Sequence, residues 1–130
     1  EGFANFPEVK LPASVEKIIH ELSQRNKSKG ISLRRYYVEM TLVLSELYRV
    51  LKREKTAIFV VGNSTLAGVD VQVDNSLFEI GKQVGFEIPK VVIRQLDRNR
   101  RMMPASSLVD QNSQIQQRMH NEFVIGFYKP

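Results

Sequence analysis

The 130 residues predict an α/β fold, on three observations. Glu46-Leu47-Tyr48-Arg49-Val50-Leu51-Lys52 closes a periodic helix on a basic turn. Ala57-Ile58-Phe59-Val60-Val61 follows after a short polar connection as an unbroken β-branched and aromatic run. Gly62-Asn63-Ser64 then stops it. A strand buried on both faces of a parallel sheet reads as such a run, and its carboxyl end opens into a functional loop.

The elements follow in order. Residues 1 to 12 carry Phe3, Phe6, Pro7, Leu11 and Pro12, and the prolines predict an extended lead. A first helix starts at Ala13 or Ser14, with Ser14 as N-cap and Val15, Ile18, Ile19 and Leu22 on one face. The polar tract from Gln24 to Gly30 breaks that pattern and predicts a surface loop. Ser32 caps a longer second helix whose Leu33, Tyr37, Met40, Leu44, Leu47 and Leu51 recur at intervals of three and four. Val43 and Val50 widen this stripe. Arg49, Lys52, Arg53 and Lys55 complement the negative end of the helix dipole, so the helix is expected to end near Arg53.

Thr56 to Val61 is the first strand, Gly62 to Asp70 a loop, and Val71 to Val84 a third helix presenting Val73, Leu77, Ile80 and Val84. Gly85 stands where a left-handed C-cap is wanted, and Phe86 packs after it. Lys90 to Leu96 and Glu122 to Lys129 are further strands. The polar, basic stretch from Asp97 to Asn121 is too long for a simple connection and predicts a functional or disordered loop.

Composition bounds the function. The length fits one domain, 1–130, and there is no apolar run near the length of a membrane span. With no cysteine, a disulfide framework, a thiolate metal site and a thiol nucleophile are all excluded; a reducing, cytoplasmic setting is expected. His20 and His120 are too few and too far apart for a histidine-rich metal cluster. A net charge of +5 with a pI near 9.6 favours polyanionic partners.

Several residues invite a functional reading beside a structural one. Asn63 and Ser64 stand at the carboxyl edge of the predicted sheet, where an amide and a hydroxyl contact a base or simply close an Asx- or Ser-type turn. Arg94, Arg98, Arg100 and Arg101 neutralise phosphates or merely keep a loop soluble. Tyr36 and Tyr37 beside Arg34 and Arg35 resemble a stacking platform, but helical phase places Tyr37 in the core and Tyr36 outside it. His120 near Glu122 lacks any nucleophile at fixed spacing, and Asp70 with Asp74 suits a helix start better than a metal.

The order helix, strand, helix, strand, long loop, strand resembles the back half of a class I S-adenosylmethionine-dependent methyltransferase. The matching pieces are Glu46 with Arg49 to Lys52, Ile58 to Ser64, Gly85-Phe86, Arg94 with Arg98, Arg100 and Arg101, and Glu122 to Phe127. The likeness covers residues 32 to 130, with 1 to 31 as lead-in and helix. The resemblance is strongest to DNA methylases of the N4-cytosine and N6-adenine type and to related RNA methylases. The resemblance implies a Rossmann-like mixed sheet ending in a reversed hairpin, S-adenosylmethionine as cofactor of a longer parent, and DNA or RNA as its substrate. Where the family turns with Pro-Gly-Gly, this chain has Arg53-Glu54-Lys55.

A larger departure concerns activity. The seven glycines never form Gly-x-Gly and no Pro-Pro occurs, so the cofactor loop and the amino-methylating motif of the family are not in this sequence. The expectation is a C-terminal portion, inactive alone, whose strand near 57–61 is covered by a missing N-terminal half or a homodimer partner. The alternatives are a stand-alone basic nucleic-acid-binding module, or half of a methyltransferase acting on RNA or a small molecule.

Overall fold

A computed structural model describes residues 8–95 and 121–130. Its elements run α1 (Ala13–Arg25), α2 (Lys27–Val50), β1 (Thr56–Gly62), β2 (Thr65–Leu66), β3 (Val69–Asp70), α3 (Val73–Val84), β4 (Val91–Gln95) and β5 (Asn121–Tyr128). The fold is mixed α/β: a three-stranded antiparallel sheet in the order β1-β5-β4, with helices packed on one face. Because β1 and β4 each pair antiparallel with β5, they run in the same direction with the reversed strand between them.

Val15, Ile18, Ile19 and Leu22 are buried along α1 as their spacing predicts. The N-cap is Pro12 instead of Ser14, its carbonyl accepting from the N–H groups of Val15 and Glu16. The polar tract after α1 is not a loop. One extended residue, Asn26, separates the two helices: its N–H donates to the Leu22 carbonyl, closing α1, while its Oδ1 accepts from Lys29 N at 3.1 Å, opening α2. Ser32 therefore lies inside α2 and caps nothing. Gly30 packs closely against α1, since a Cβ there would sit 2.0 Å from Ser23 Oγ and 2.9 Å from Ser23 Cα. Polarity suggested a break; helix packing needed the small residue.

α2 buries Leu33, Tyr37, Val38, Thr41 and Leu44. Val43 and Val50, expected to widen the core stripe, are exposed instead. The helix ends at Val50, short of Arg53, because Leu51 turns extended and its N–H closes on the Leu47 carbonyl. The orphan carbonyls of Tyr48 and Leu51 accept from Lys129 Nζ at 2.6 and 2.8 Å, and that ammonium lies 4.9 Å from the Tyr48 ring centroid. In the turn that follows, Glu54 takes a left-handed backbone (φ 63°) and donates its N–H to the Lys129 carbonyl. A glycine-type turn is thus made without glycine.

β1 corrects the expectation of two buried faces. Only Ala57, Phe59 and Val61 turn toward the helices, while Ile58 and Val60 are 68% and 56% exposed. Among the described residues the apolar run is an edge strand with one covered face, so lack of alternation recorded two apolar faces but not two buried ones. Phe123, Ile125 and Phe127 of β5 complete the core, with Phe127 edge-on to Phe59.

α3 starts at Val73, two residues later than predicted, and buries Val73, Ser76, Leu77, Ile80 and Gly81. Gly85 (φ 128°) terminates it in a Schellman motif, with Phe86 N donating to Gly81 O and Gly85 N to Lys82 O. Phe86 is buried after it, as predicted.

Candidate functional site

The loop expected from Gly62 to Asp70 contains a small hairpin, β2 with β3, turned by Ala67 (φ 47°) and Gly68 (φ 78°). Positive φ at both central residues is the signature of the two-residue turn that matches strand twist. Asn63 ties this loop to α3. Its Nδ2 donates to Asp70 Oδ1 at 2.6 Å and its Oδ1 accepts from Val73 N at 3.0 Å, while Asp70 Oδ1 also accepts from Gln72 N. Both ends of the Asn63 amide are engaged, so the residue is the clamp that fixes the carboxyl end of β1 against the helix start.

Beside that clamp lies a cavity of about 400 Å³, lined on α2 by Ser32, Leu33 and Tyr36 and on the β1 side by Val61, Gly62 and Ser64. Its floor is apolar and, among the described residues, no charged side chain lines it. A Cβ at Gly62 would meet nothing within 4 Å, so the strand end is open space. Tyr36 is exposed and Tyr37 fully buried, as helical phase predicts, with their rings 5.2 Å apart and tilted. Burial raises both phenols above the ordinary tyrosine range; at Tyr37 the nearby Ser76 hydroxyl opposes that rise. The part of Tyr36 and Ser32 in this cavity was missed by the sequence reading, because nothing in a helical pattern reports which residue borders a strand end across space.

Of the arginines singled out, Arg94 lies on β4 and is ion-paired with Glu122 across the sheet, where the two residues are direct register partners. Arg98, Arg100 and Arg101 lie outside the described residues, as do His120, Pro104 and the aromatic residues Phe3 and Phe6. Arg34 forks onto Glu16, joining α2 to α1 at 2.8 and 2.5 Å, and this bond holds the Glu16 carboxyl below the usual carboxylate range. Arg35 pairs with Glu39 and Arg49 with Glu46. Among the described residues there is no group of three or more acidic or histidine side chains placed to hold a metal, and no helix long and apolar enough to cross a membrane.

Over 79 residues, 61% of this chain, the sequence is 34% identical to the Type II methyltransferase M.AvaI of Nostoc sp. (strain PCC 7120 / SAG 25.82 / UTEX 2576). It is equally similar to the Type II methyltransferase M.AvaI of Anabaena variabilis. The aligned stretch spans 16% of the length of either relative. No family model and no solved structure matches the chain. The sequence is thus related to part of a Type II methyltransferase, which agrees with the resemblance read from its motifs.

Proposed function

We propose that this chain is the C-terminal portion of an S-adenosylmethionine-dependent DNA methyltransferase, forming the last strands of a Rossmann-like sheet and part of the substrate surface. The observation that carries the reading is the strand arrangement: two strands running one way, joined through α3, with a reversed strand between them, in a chain 34% identical over 79 residues to Type II methyltransferases. The cofactor loop and amino-methylating motif belong to the rest of such an enzyme, because this sequence has neither Gly-x-Gly nor Pro-Pro. What it contributes is the rim. The β1 end with Ser64, held by Asn63, would meet the nucleic acid, and Arg98, Arg100 and Arg101 would neutralise its phosphates without reading sequence, joined by Arg94 only if phosphate displaces Glu122 from it. The rest of the enzyme covers the strand near 57–61.

The test is transfer of a labelled methyl group from S-adenosylmethionine to duplex DNA by the full-length protein. Activity is expected there and not in the 130-residue chain, which should also give no heat of cofactor binding in calorimetry. Replacing Arg98, Arg100 and Arg101 with glutamine in the full-length enzyme should weaken DNA binding and flatten its dependence on salt. A full-length protein that binds the cofactor but methylates no DNA, under conditions where it methylates RNA or a small molecule, refutes the DNA assignment.

A further inference from the structure

A second cluster of cations stands at the carboxyl end of β1, on elements separate from the arginine segment. Arg25, Lys27 and Lys29 fall within five residues around the Asn26 hinge, and all three are exposed. No carboxylate lies in that stretch. Elsewhere on the helices arginines are neutralised in place: Arg34 by Glu16, Arg35 by Glu39 and Arg49 by Glu46. At the hinge, Arg25 reaches Glu21 only at 4.0 Å, and Lys27 and Lys29 enter no ion pair among the described residues. Like charges this close repel one another, and a helical surface built for stability alone interleaves acids with them, as the rest of α1 and α2 does.

Contacts fix where this corner lies. α2 runs antiparallel to β1, since its early residues Ser32, Leu33 and Tyr36 share the cavity with Val61, Gly62 and Ser64, while Lys129, bonded to Lys55 just before β1, reaches the carbonyls at its far end. The start of α2 is therefore at the end of β1. Arg25 closes the corner from the other side, its Nη1 donating at 3.4 Å to the Ala67 carbonyl at the tip of the β2–β3 hairpin. The one acid between Asn63 and Asp70 is Asp70 itself, already engaged by the Asn63 amide and Gln72 N. Because β4 runs in the same direction as β1, its carboxyl end, from which the chain continues toward Arg98, Arg100 and Arg101, lies at this end of the sheet as well.

One line joins the corner to the cavity. Lys29 precedes Ser32 and Leu33 by three and four positions on one helical face, and Tyr36 follows one turn later. From Lys29 to Tyr36 the helix rises about 10 Å, the length over which one strand of a duplex presents about three phosphates. Along that line the lysine gives way to the Ser32 hydroxyl at the cavity, with Ser64 opposite on the β1 side. Cations at one end and neutral hydroxyl donors beyond them are groups that hold a sugar-phosphate backbone. We infer that the α1–α2 corner is a second phosphate-contact surface, on which Arg25, Lys27 and Lys29 hold one DNA strand as it passes Ser32 toward Ser64. The inference rests on the DNA methyltransferase reading and adds a surface that the arginine segment does not supply. Its contacts are to backbone, so it contributes affinity and register instead of sequence discrimination.

The experiment compares two double substitutions in the full-length protein that change net charge equally: Lys27→Gln with Lys29→Gln at the corner, and Lys52→Gln with Lys55→Gln beyond the other end of α2. The 24 residues of α2 separate the two pairs by about 36 Å, several Debye lengths at physiological salt. Binding of a fluorescein-labelled DNA duplex is followed by anisotropy across a range of salt. The corner pair should lower the slope of log affinity against log salt by about 1.8, the share of two phosphate contacts, and weaken binding at low salt by about tenfold. The distant pair should leave both unchanged, and Lys27→Arg with Lys29→Arg should keep the original slope. In methylation assays the corner pair should raise KM for DNA while kcat and cofactor affinity stay as they were, with circular dichroism confirming that each variant folds. A slope unmoved by the corner pair, or lowered equally by both pairs, overturns the inference. If DNA is still methylated in those cases, the underlying reading stands; a full-length protein that holds the cofactor but neither binds nor methylates DNA defeats that reading and this inference with it.

Discussion

Gly81→Ala should destabilise the chain although it replaces glycine inside a helix. On propensity alone the change favours α3 by about 1 kcal/mol. In the structure, however, a Cβ at position 81 would lie 2.3 Å from Phe127 Cε1 and 2.7 Å from Cδ1, with Ile88 Cδ1 at 3.2 Å. The Phe127 ring has no room to retreat: it is fully buried, edge-on to Phe59 at 5.1 Å and tilted against Phe86 at 5.5 Å. Forcing a methyl group into so packed a site costs about 2–3 kcal/mol. The net loss is therefore about 1–2 kcal/mol, a fall in midpoint of roughly 3–8 °C. The assay is urea and thermal unfolding followed by circular dichroism, repeated in Phe127→Leu. The smaller side chain should relieve the clash, so the double variant should be more stable than the sum of the single changes by about 1 kcal/mol. If Gly81→Ala raises the midpoint, or the two changes add, the packing of α3 on β5 described above is wrong.

Lys129→Met removes two charge-assisted hydrogen bonds at the end of α2 and should cost about 2 kcal/mol in urea unfolding, with increased exchange of the last-turn amides. Asn63→Ala takes the side-chain acceptor from the Val73 N–H and one donor from the Asp70 carboxylate and should cost about 1–2 kcal/mol, whereas Asn63→Asp should not rescue it, because a carboxylate cannot donate to Asp70. Glu16, its pKa lowered chiefly by the hydrogen bond from Arg34, contributes stability that is fully present above the ordinary glutamate pKa and is lost as pH falls through its lowered value. Both side chains are nearly half exposed, so Glu16→Gln should shrink the stability difference between neutral and acid pH by only about 0.5 kcal/mol in pH-dependent melts.

How much was legible in the sequence varies by element, for physical reasons. The α1 face, the phase of Tyr37, the glycine stop of α3 and three of the strands were visible because each rests on local periodicity or on one residue's backbone freedom. Asn26 as a one-residue hinge was not, since a polar tract is read the same way in a loop and on an exposed helix face. The same ambiguity hid Gly30, whose smallness serves a contact with Ser23 seven positions earlier in the chain. At the site, residue type suggested a local Asx- or Ser-type turn at Asn63 and Ser64, but the Asn63 amide bonds Asp70 and Val73 instead, and these partners and the cavity shared by Tyr36 and Ser64 arise only when α2, β1 and α3 converge.

The sequence by itself determined an α/β chain with its helices and main strands in this order, because local pattern needs no knowledge of neighbours. Tertiary structure alone decided that β5 lies between β1 and β4, and that among the described residues the apolar run at 57–61 is an edge with Ile58 and Val60 exposed. Strand order and burial depend on what lies beside each segment, and a hydrophobic run reads the same whether that neighbour is a strand, a helix or water.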